Sequence, residues 1–445
     1  MPWAFLAVSL LGAAFTVNAW RPRRRQGVLV VPSFVAGWLT TEMAAHHLFW
    51  QAVATVAFVW AGALEAWPGW VGLGVTLASW VGLGALVRAS RSVDAVVEPA
   101  LTEALGPRYR DAIDPAVAAR FERRAPRGRM ILPFLLRDRA VTVTRNIRYA
   151  PGAGRRHLLD VYAPREGAHG APVLLQVHGG GWTIGTKRDQ ALPLMLHLAA
   201  RGWVCVAANY RLSPKATWPD HLVDLKLALR WIREHVHEHG GDPDFVVATG
   251  GSAGGHLATM VALTANDPEY QPGFEDVDTS VRACVPFYGI YDLTNTFGRA
   301  WGRRGDDGMG GFVERVVVKR RVADAPEIFE AMSPIHRVRP DAPPFLVIHG
   351  SQDSLAPVQE ARVFVELLRN ASRSPVVYLE IPVAQHAFEV LHSPRTRRVA
   401  AGVDRFLGWV WCRYRAGQAA PATGPAGAPD SAPSPAEGSP PVSRR

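Results

Sequence analysis

The sequence predicts an α/β fold, a mainly parallel central sheet flanked by helices, preceded by an N-terminal transmembrane helical region. Three observations carry that prediction. From about residue 141, short apolar runs rich in Val and Ile alternate with amphipathic stretches, the pattern of strands buried on both faces and joined by crossover helices. Residues 1 to 90 instead hold long apolar runs with many Trp, Gly and Ala and few charges outside Arg21 to Arg25, the composition of bilayer segments. At 445 residues the chain also exceeds the usual size of one compact domain, so two regions with different roles are expected.

The first apolar stretch, 3–20 (WAFLAVSLLGAAFTVNAW), would run about 27 Å as a helix, roughly the thickness of the hydrocarbon layer. Its positive charges, Arg21, Arg23, Arg24 and Arg25, follow the apolar run rather than precede it, which favours a retained anchor over a cleaved signal peptide. Two more spans are expected at 48–66 and 69–88, separated by the turn signal Trp67-Pro68. The segment from Val28 to Thr40 is apolar but short, carries Pro32 and leads into Thr41-Glu42, so it reads as interfacial or re-entrant. With three spans, Arg21 to Arg25 and Arg88/Arg91 fall on one side, and the positive-inside rule makes that side cytoplasmic, together with the globular part. A fourth crossing would place the two clusters on opposite sides. The expected location is therefore the cell membrane, multi-pass. A buried soluble core is the plainer alternative, but apolar runs of this length are unusual there.

A formal charge of +10 and a pI near 9.9 suit either a nucleic-acid partner or anionic lipid head groups. The basic clusters, Arg21 to Arg25 and Arg120 to Arg129, lie beside or soon after the apolar region and are not interleaved with aromatics, so the bilayer is the expected partner and nucleic acid is not. Cys205, Cys284 and Cys412 are odd in number, widely separated and set in apolar stretches. Neither a disulfide framework nor a zinc site is suggested, and buried free thiols are expected.

Residues 91–140 mix helix-like and charged stretches and read as a linker or cap helices. Strands are expected at 143–149, 158–162, 172–177, 203–208, 245–249, 283–288, 344–348 and 376–381. Between them lie helices such as 219–238, with Leu222, Leu225, Leu229 and Ile232 on one stripe. Residues 141–415 thus form the globular domain. Residues 416–445, nearly all Ala, Pro, Gly and Ser, have no apolar face to bury and form a disordered tail.

Gly250-Gly251-Ser252-Ala253-Gly254 follows the strand FVVAT and precedes the helical stretch HLATMVALTA. A nucleophile in a sharp strand-to-helix turn leaves no room for side chains at the flanking positions. With 41 glycines in the chain, a G-x-S-x-G arises by chance in roughly one such sequence in six, so its context and partners carry the weight; otherwise Ser252 could be a plain helix N-cap. His178-Gly179-Gly180-Gly181-Trp182 follows the strand VLLQV and offers bare backbone N–H groups. Those of Gly179 and Gly180, with that of Ala253 after the nucleophile, would form an oxyanion hole. His178 reads as a loop brace. A phosphate-cradling loop is the alternative, but no Lys-Ser/Thr follows as a P-loop needs. An acid and then a histidine should come later, each after a strand. Asp353 follows PFLVIHG and His386 follows VVYLEIP. His336, His349 and His392 compete as base, and Glu360 and Glu389 as acid; position and chain order favour Asp353 and His386.

Together HGGGW, GGSAGGHLA, the run Asn209-Tyr210-Arg211-Leu212-Ser213-Pro214, HGSQDSLAP and QHAF resemble the hormone-sensitive-lipase-like esterases of the α/β-hydrolase superfamily over roughly residues 140–412, and actinobacterial membrane-anchored esterases in particular. The resemblance implies an α/β-hydrolase fold, a carboxylic ester hydrolase with the triad Ser252, Asp353 and His386, and no cofactor. In one departure, the family often carries Asp before the serine, where this chain has Gly251. The expected substrate is a small-molecule or lipid-derived ester, since the anchor brings the site near apolar molecules. Other readings keep the same triad for an amide or N-formyl bond or for acyl transfer, or make the chain a non-catalytic membrane scaffold or a transporter component. Residues 290–335, rich in Gly and Arg with Trp301 and Phe312, interrupt the sheet pattern where this fold commonly carries a lid. Trp182 and Phe388 flank the site as acyl-pocket or packing residues.

Overall fold

The computed structural model describes residues 1–23, 29–121, 127–296 and 309–419. Arg24 and Arg25, part of the Arg120 to Arg129 cluster, Trp301 with the middle of the expected lid, and nearly all of the expected tail lie outside them.

All eight expected strands form one sheet: β1 (Val141–Arg148), β2 (Leu158–Pro164), β3 (Ala171–Val177), β4 (Val204–Ala208), β5 (Gly241–Gly251), β6 (Ala283–Phe287), β7 (Phe345–Gly350) and β8 (Val376–Ile381). Their spatial order is β1-β2-β4-β3-β5-β6-β7-β8. β1 and β2 are antiparallel to their neighbours and the rest are parallel, so the expected fold class is observed. Every residue of β3, β4, β6 and β7 is buried, because helices cover both faces.

The helices are, in chain order, α1 (Pro2–Trp20), α2 (Val30–Glu42), α3 (Ala44–Trp60), α4 (Trp67–Arg91), α5 (Asp94–Leu105), α6 (Pro115–Phe121), α7 (Leu192–Ala199), α8 (Asp220–His235), α9 (Ala253–Leu263), α10 (Met309–Phe312), α11 (Pro326–Met332), α12 (Val358–Ala371) and α13 (Pro394–Ala419). On one face of the sheet α8, α9 and α12 bury Leu222, Leu225, Leu229, Leu257, Val261 and Phe364. On the other, α5, α7 and α13 bury Val97, Leu101, Leu198, Val403 and Leu407. Within the stretch expected as a linker or cap, α5 therefore joins a helical layer of the sheet. Cys205 and Cys284 are buried and all three cysteines are free.

The N-terminal helices bury several small and polar side chains where they pack. α1 buries Phe5, Ser9, Thr16 and Ala19, and α4 buries Gly69, Gly72, Thr76 and Ser79 among others. Leu10, Leu11, Val17, Trp70, Val71, Leu77 and Val81 are exposed. Thr16 and Ser79 share a hydrogen bond of 2.8 Å and Thr76 donates to Ser9 at 2.9 Å. Small and polar side chains thus share the helix contacts with buried Phe5, Leu83 and Leu86, while many apolar side chains face outward. Two helical runs among the described residues are long and apolar enough to cross a bilayer, Pro2–Trp20 and Trp67–Leu105. The stretch expected as the middle span forms α3, which ends at Trp60, followed by a short 3-10 turn at Ala63–Glu65.

Candidate active site

The site gathers at the C-terminal ends of the parallel strands, where open α/β sheets bind ligands. β5 ends at Gly251, α9 begins at Ala253, and Ser252 makes the turn between them with φ 59° and ψ −125°. A side chain in that region is strained by about 1–3 kcal/mol, and the surroundings hold it there. Ser252 N–H donates to the Phe287 carbonyl at 3.0 Å and the Ser252 carbonyl accepts from His256 N–H at 2.9 Å. The turn needs glycine at 254, since a Cβ there would lie 2.2 Å from the Val177 carbonyl oxygen. Ser252 thus projects at the N-terminus of an eleven-residue helix, whose dipole favours developing negative charge.

The loop after β3 runs beside this turn: a Cβ on Gly179 would lie 3.0 Å from the Ser252 Cβ. The Gly179 N–H donates to Gln190 Oε1 at 2.6 Å, so it is engaged in this state. Gly180, Gly181 and Ala253 have backbone N–H groups with no acceptor among the described residues. Gly181 is a donor that the sequence reading did not single out. His178 braces the loop, stacking on Tyr210 with centroids 4.4 Å apart and donating from Nδ1 to the Gly179 carbonyl at 2.8 Å. Burial pushes its pKa down to about 4, which keeps it neutral. The Asn-Tyr-Arg-Leu-Ser-Pro run holds the same loop, with Tyr210 OH donating to the His178 carbonyl at 2.9 Å and Ser213 N–H to that of Trp182 at 2.9 Å.

Asp353 follows β7 and His386 follows β8, and the structure brings them together: His386 Nδ1–H donates to Asp353 Oδ2 at 2.7 Å. Asp353 Oδ1 accepts the N–H groups of Leu355 and Ala356 at 2.8 and 2.7 Å. Burial would raise the Asp353 pKa, but His386 and His349 facing it hold the carboxyl well below the usual carboxylate range. Of the competitors, His349 also faces Asp353, with Nε2 3.4 Å from the same Oδ2, and His336 and Glu360 lie elsewhere. His349 Nε2 donates to the Ala356 carbonyl at 3.0 Å behind Asp353. His336 meets Thr294 and Thr296, and Glu360 caps the Tyr291 N–H at 3.2 Å.

Tyr288 links the two halves. Its ring lies 4.4 Å from that of His386, and its hydroxyl fills the space beside Gly251, where a Cβ would meet it at 2.6 Å. That contact accounts for glycine at 251. The Tyr288 hydroxyl in turn donates to buried Glu389. Burial raises the Glu389 pKa to about 7, partly offset by Tyr288 and reinforced by Glu42. A carboxyl whose folded value is raised holds a proton that the unfolded chain has lost, so its contribution is full below its ordinary value and gone above the folded one. Stability should therefore fall between about pH 4.5 and pH 7 by up to about 1.4 kcal/mol per pH unit. Glu389→Gln should flatten that slope in denaturant titrations at several pH values. An unchanged slope would assign it to another group.

Trp182 and Phe388 are 1% and 0% exposed. Trp182 Nε1–H donates to His256 Nδ1 at 3.3 Å, so both aromatics are packing residues. Phe312 of α10 instead approaches the glycine loop, 3.6 Å from where a Cβ on Gly181 would stand. The described part of the expected lid is pinned by buried Val313 and Val317 and by Thr217 Oγ1 donating to the Val317 carbonyl at 2.9 Å. Among the described residues no cluster of His, Cys, Asp and Glu is arranged to hold a metal ion.

Comparison with known proteins places these features in a group. The BD-FAE family model matches residues 159–368. The chain is 44% identical over 423 residues to the "Probable carboxylic ester hydrolase LipM" of Mycobacterium tuberculosis, covering 93% of this chain and 94% of the relative. It is 41% identical over 385 residues to "Esterase LipQ" of the same organism, covering 85% of each. Among solved structures, "Thermogutta terrifontis esterase 2 phosphonylated by sarin" matches with a TM-score of 0.50 at 25% identity, over 60% of this chain and 94% of that one. A "Truncated form of carbohydrate esterase from gut microbiota" shares the fold, with a TM-score of 0.51 at 21% identity over 60% of this chain and 96% of that one.

Proposed function

Since the chain belongs to the carboxylic ester hydrolases of the hormone-sensitive-lipase-like α/β-hydrolase type, we propose that it cleaves its ester through an acyl-enzyme on Ser252. The observation that carries this reading is the buried 2.7 Å contact between His386 Nδ1 and Asp353 Oδ2, with Tyr288 packed between His386 and the Ser252 turn.

In this mechanism Asp353 keeps a proton on His386 Nδ1, which leaves Nε2 as the base. His386 Nε2 takes the Ser252 hydroxyl proton as Oγ attacks the ester carbonyl carbon. The resulting oxyanion is met by the N–H groups of Gly180 and Ala253, which are free to donate, and by that of Gly179 once Gln190 releases it. Collapse breaks the acyl–oxygen bond, and His386 returns the proton to the departing alcohol. Water then gives a proton to His386 as it attacks the acyl carbon, and collapse returns that proton to Ser252 Oγ, leaving the carboxylic acid and free Ser252.

Residues 1–90 anchor the catalytic domain, 141–415, in the membrane. The outward apolar faces of α1 and α4 support this; where α3 (Ala44–Trp60) crosses with them, Arg21 to Arg25 and Arg88 and Arg91 share the side of the catalytic domain, which the positive-inside rule makes cytoplasmic. A lipid-derived or otherwise apolar ester suits that location. The test is covalent labelling of full-length protein in detergent with a fluorophosphonate, followed by peptide mass mapping. The adduct is expected on Ser252, with p-nitrophenyl esters cleaved far faster than the matching anilides. An adduct on another residue, or none, would overturn the mechanism; faster anilide cleavage would make the enzyme an amidase.

A further inference from the structure

The N-terminal region reaches the site itself. α2 lies against the loop that carries His386. The Phe34 ring stands edge-on to the His386 ring, with centroids 6.1 Å apart and planes at 74°. One turn along, a Cβ on Gly37 would come within 3.8 Å of Gln385 Nε2. At the end of the helix, Glu42 pairs with Arg395 and accepts from Ser393 Oγ at 2.7 Å, both residues just beyond the histidine loop. Phe34 also stacks on Trp38, with centroids 6.1 Å apart and planes at 11°. The two rings make one aromatic face running from His386 along α2. Both side chains are half-buried, whereas Val31 and Val35 of the same helix are exposed.

Chemistry identifies what such a face would meet. A histidine in this position delivers its proton to the departing alcohol oxygen, so side chains against its ring border the alcohol half of the ester. Of the other aromatics near the site, Tyr288, Trp182 and Phe388 are sealed in the core, and Phe312 approaches the glycine loop rather than His386. We propose that Phe34, backed by Trp38, is the specificity wall for the alcohol part of the substrate and selects alcohols with an apolar alkyl or aryl body. This rests on the serine-hydrolase reading above. One wall of the active site then comes from the N-terminal helical region, so the region that anchors the enzyme also selects its substrate.

The test uses full-length protein in detergent micelles: wild type, Phe34→Ala, Phe34→Leu, and Phe49→Ala on the exposed face of α3 as the control. Methyl, butyl and octyl acetate vary the alcohol at constant acyl group, and methyl acetate, butyrate and octanoate vary the acyl group at constant alcohol. Phe34→Ala is expected to lower kcat/KM for octyl acetate about tenfold, as loss of an apolar pocket wall does, while methyl acetate stays within about twofold. Phe34→Leu should fall between, and it decides the matter if the alanine variant does not fold. The acyl series and the rate of fluorophosphonate labelling should match wild type, and Phe49→Ala should match it throughout. An equal loss across all alcohols would make Phe34 a support for His386 and overturn the proposal, as would a loss that follows acyl length. Absence of labelling in wild type would instead overturn the serine-hydrolase reading.

Discussion

Ser252→Ala is expected to lower kcat for a p-nitrophenyl ester by on the order of 10⁶-fold, because serine, histidine and acid act as one unit and the remaining rate comes from the oxyanion donors and binding alone. The loss should be confined to chemistry. Ser252 Oγ makes no hydrogen bond that supports the fold among the described residues, whereas the backbone bonds to Phe287 and from His256 survive the substitution. Alanine would sit in the same positive-φ conformation as serine, so folding stability should change by less than about 0.5 kcal/mol. Single-turnover kinetics and a denaturant titration on the same preparation check both halves. Activity within tenfold of wild type would mean that another residue is the nucleophile. Full loss accompanied by unfolding would say nothing for chemistry, and the fluorophosphonate adduct site then decides.

The second large effect is structural and lies where the two regions meet. Glu42 and Arg395 form an ion pair whose side chains are both fully buried, with Ser393 Oγ donating to the other Glu42 oxygen at 2.7 Å. Ser393 also accepts the Thr396 N–H at 3.0 Å, and Thr396 Oγ1 donates to the Phe388 carbonyl at 3.0 Å, so the pair is tied to the segment that carries His386. Removing one partner leaves a buried charge without its counterion, which costs about 3–5 kcal/mol. Arg395→Met and Glu42→Leu should each destabilise the protein by about that amount. The double variant should recover most of the loss, since an apolar pair of similar volume carries no desolvation penalty. A denaturant-based double-mutant cycle in detergent measures this. Single variants that cost under about 1 kcal/mol would show that water or another group compensates.

The strands and the Ser252, Asp353 and His386 candidates were legible from the chain because each is announced locally. A buried parallel strand must be an apolar run, a strained turn must be flanked by glycine, and each expected functional residue sits just past a strand end. The glycine-rich loop was legible for the same reason. What the chain left open were choices among chemically equivalent groups. Among Glu360, Glu389 and Asp353, all carboxylates, position after a strand and chain order favoured Asp353, and the structure sets it 2.7 Å from His386. His178 was expected as a loop brace, and the structure supplies what it braces against, the Tyr210 ring stacked 4.4 Å away.

By itself, then, the sequence determined the α/β class, an N-terminal region with the composition of bilayer helices, and an esterase family, since these depend on local patterns of burial and backbone strain. Only the tertiary structure decided which donors of the glycine loop are free, because the partner of the Gly179 N–H is a side chain eleven residues away. Only it explained Gly251, whose missing side chain makes room for Tyr288 just past the end of β6. And only it brought Phe34 of the N-terminal region against His386. Contacts between residues far apart in the chain leave no periodic or local signature, since they arise when separately specified elements pack, and packing is set by shape in three dimensions rather than by spacing along one.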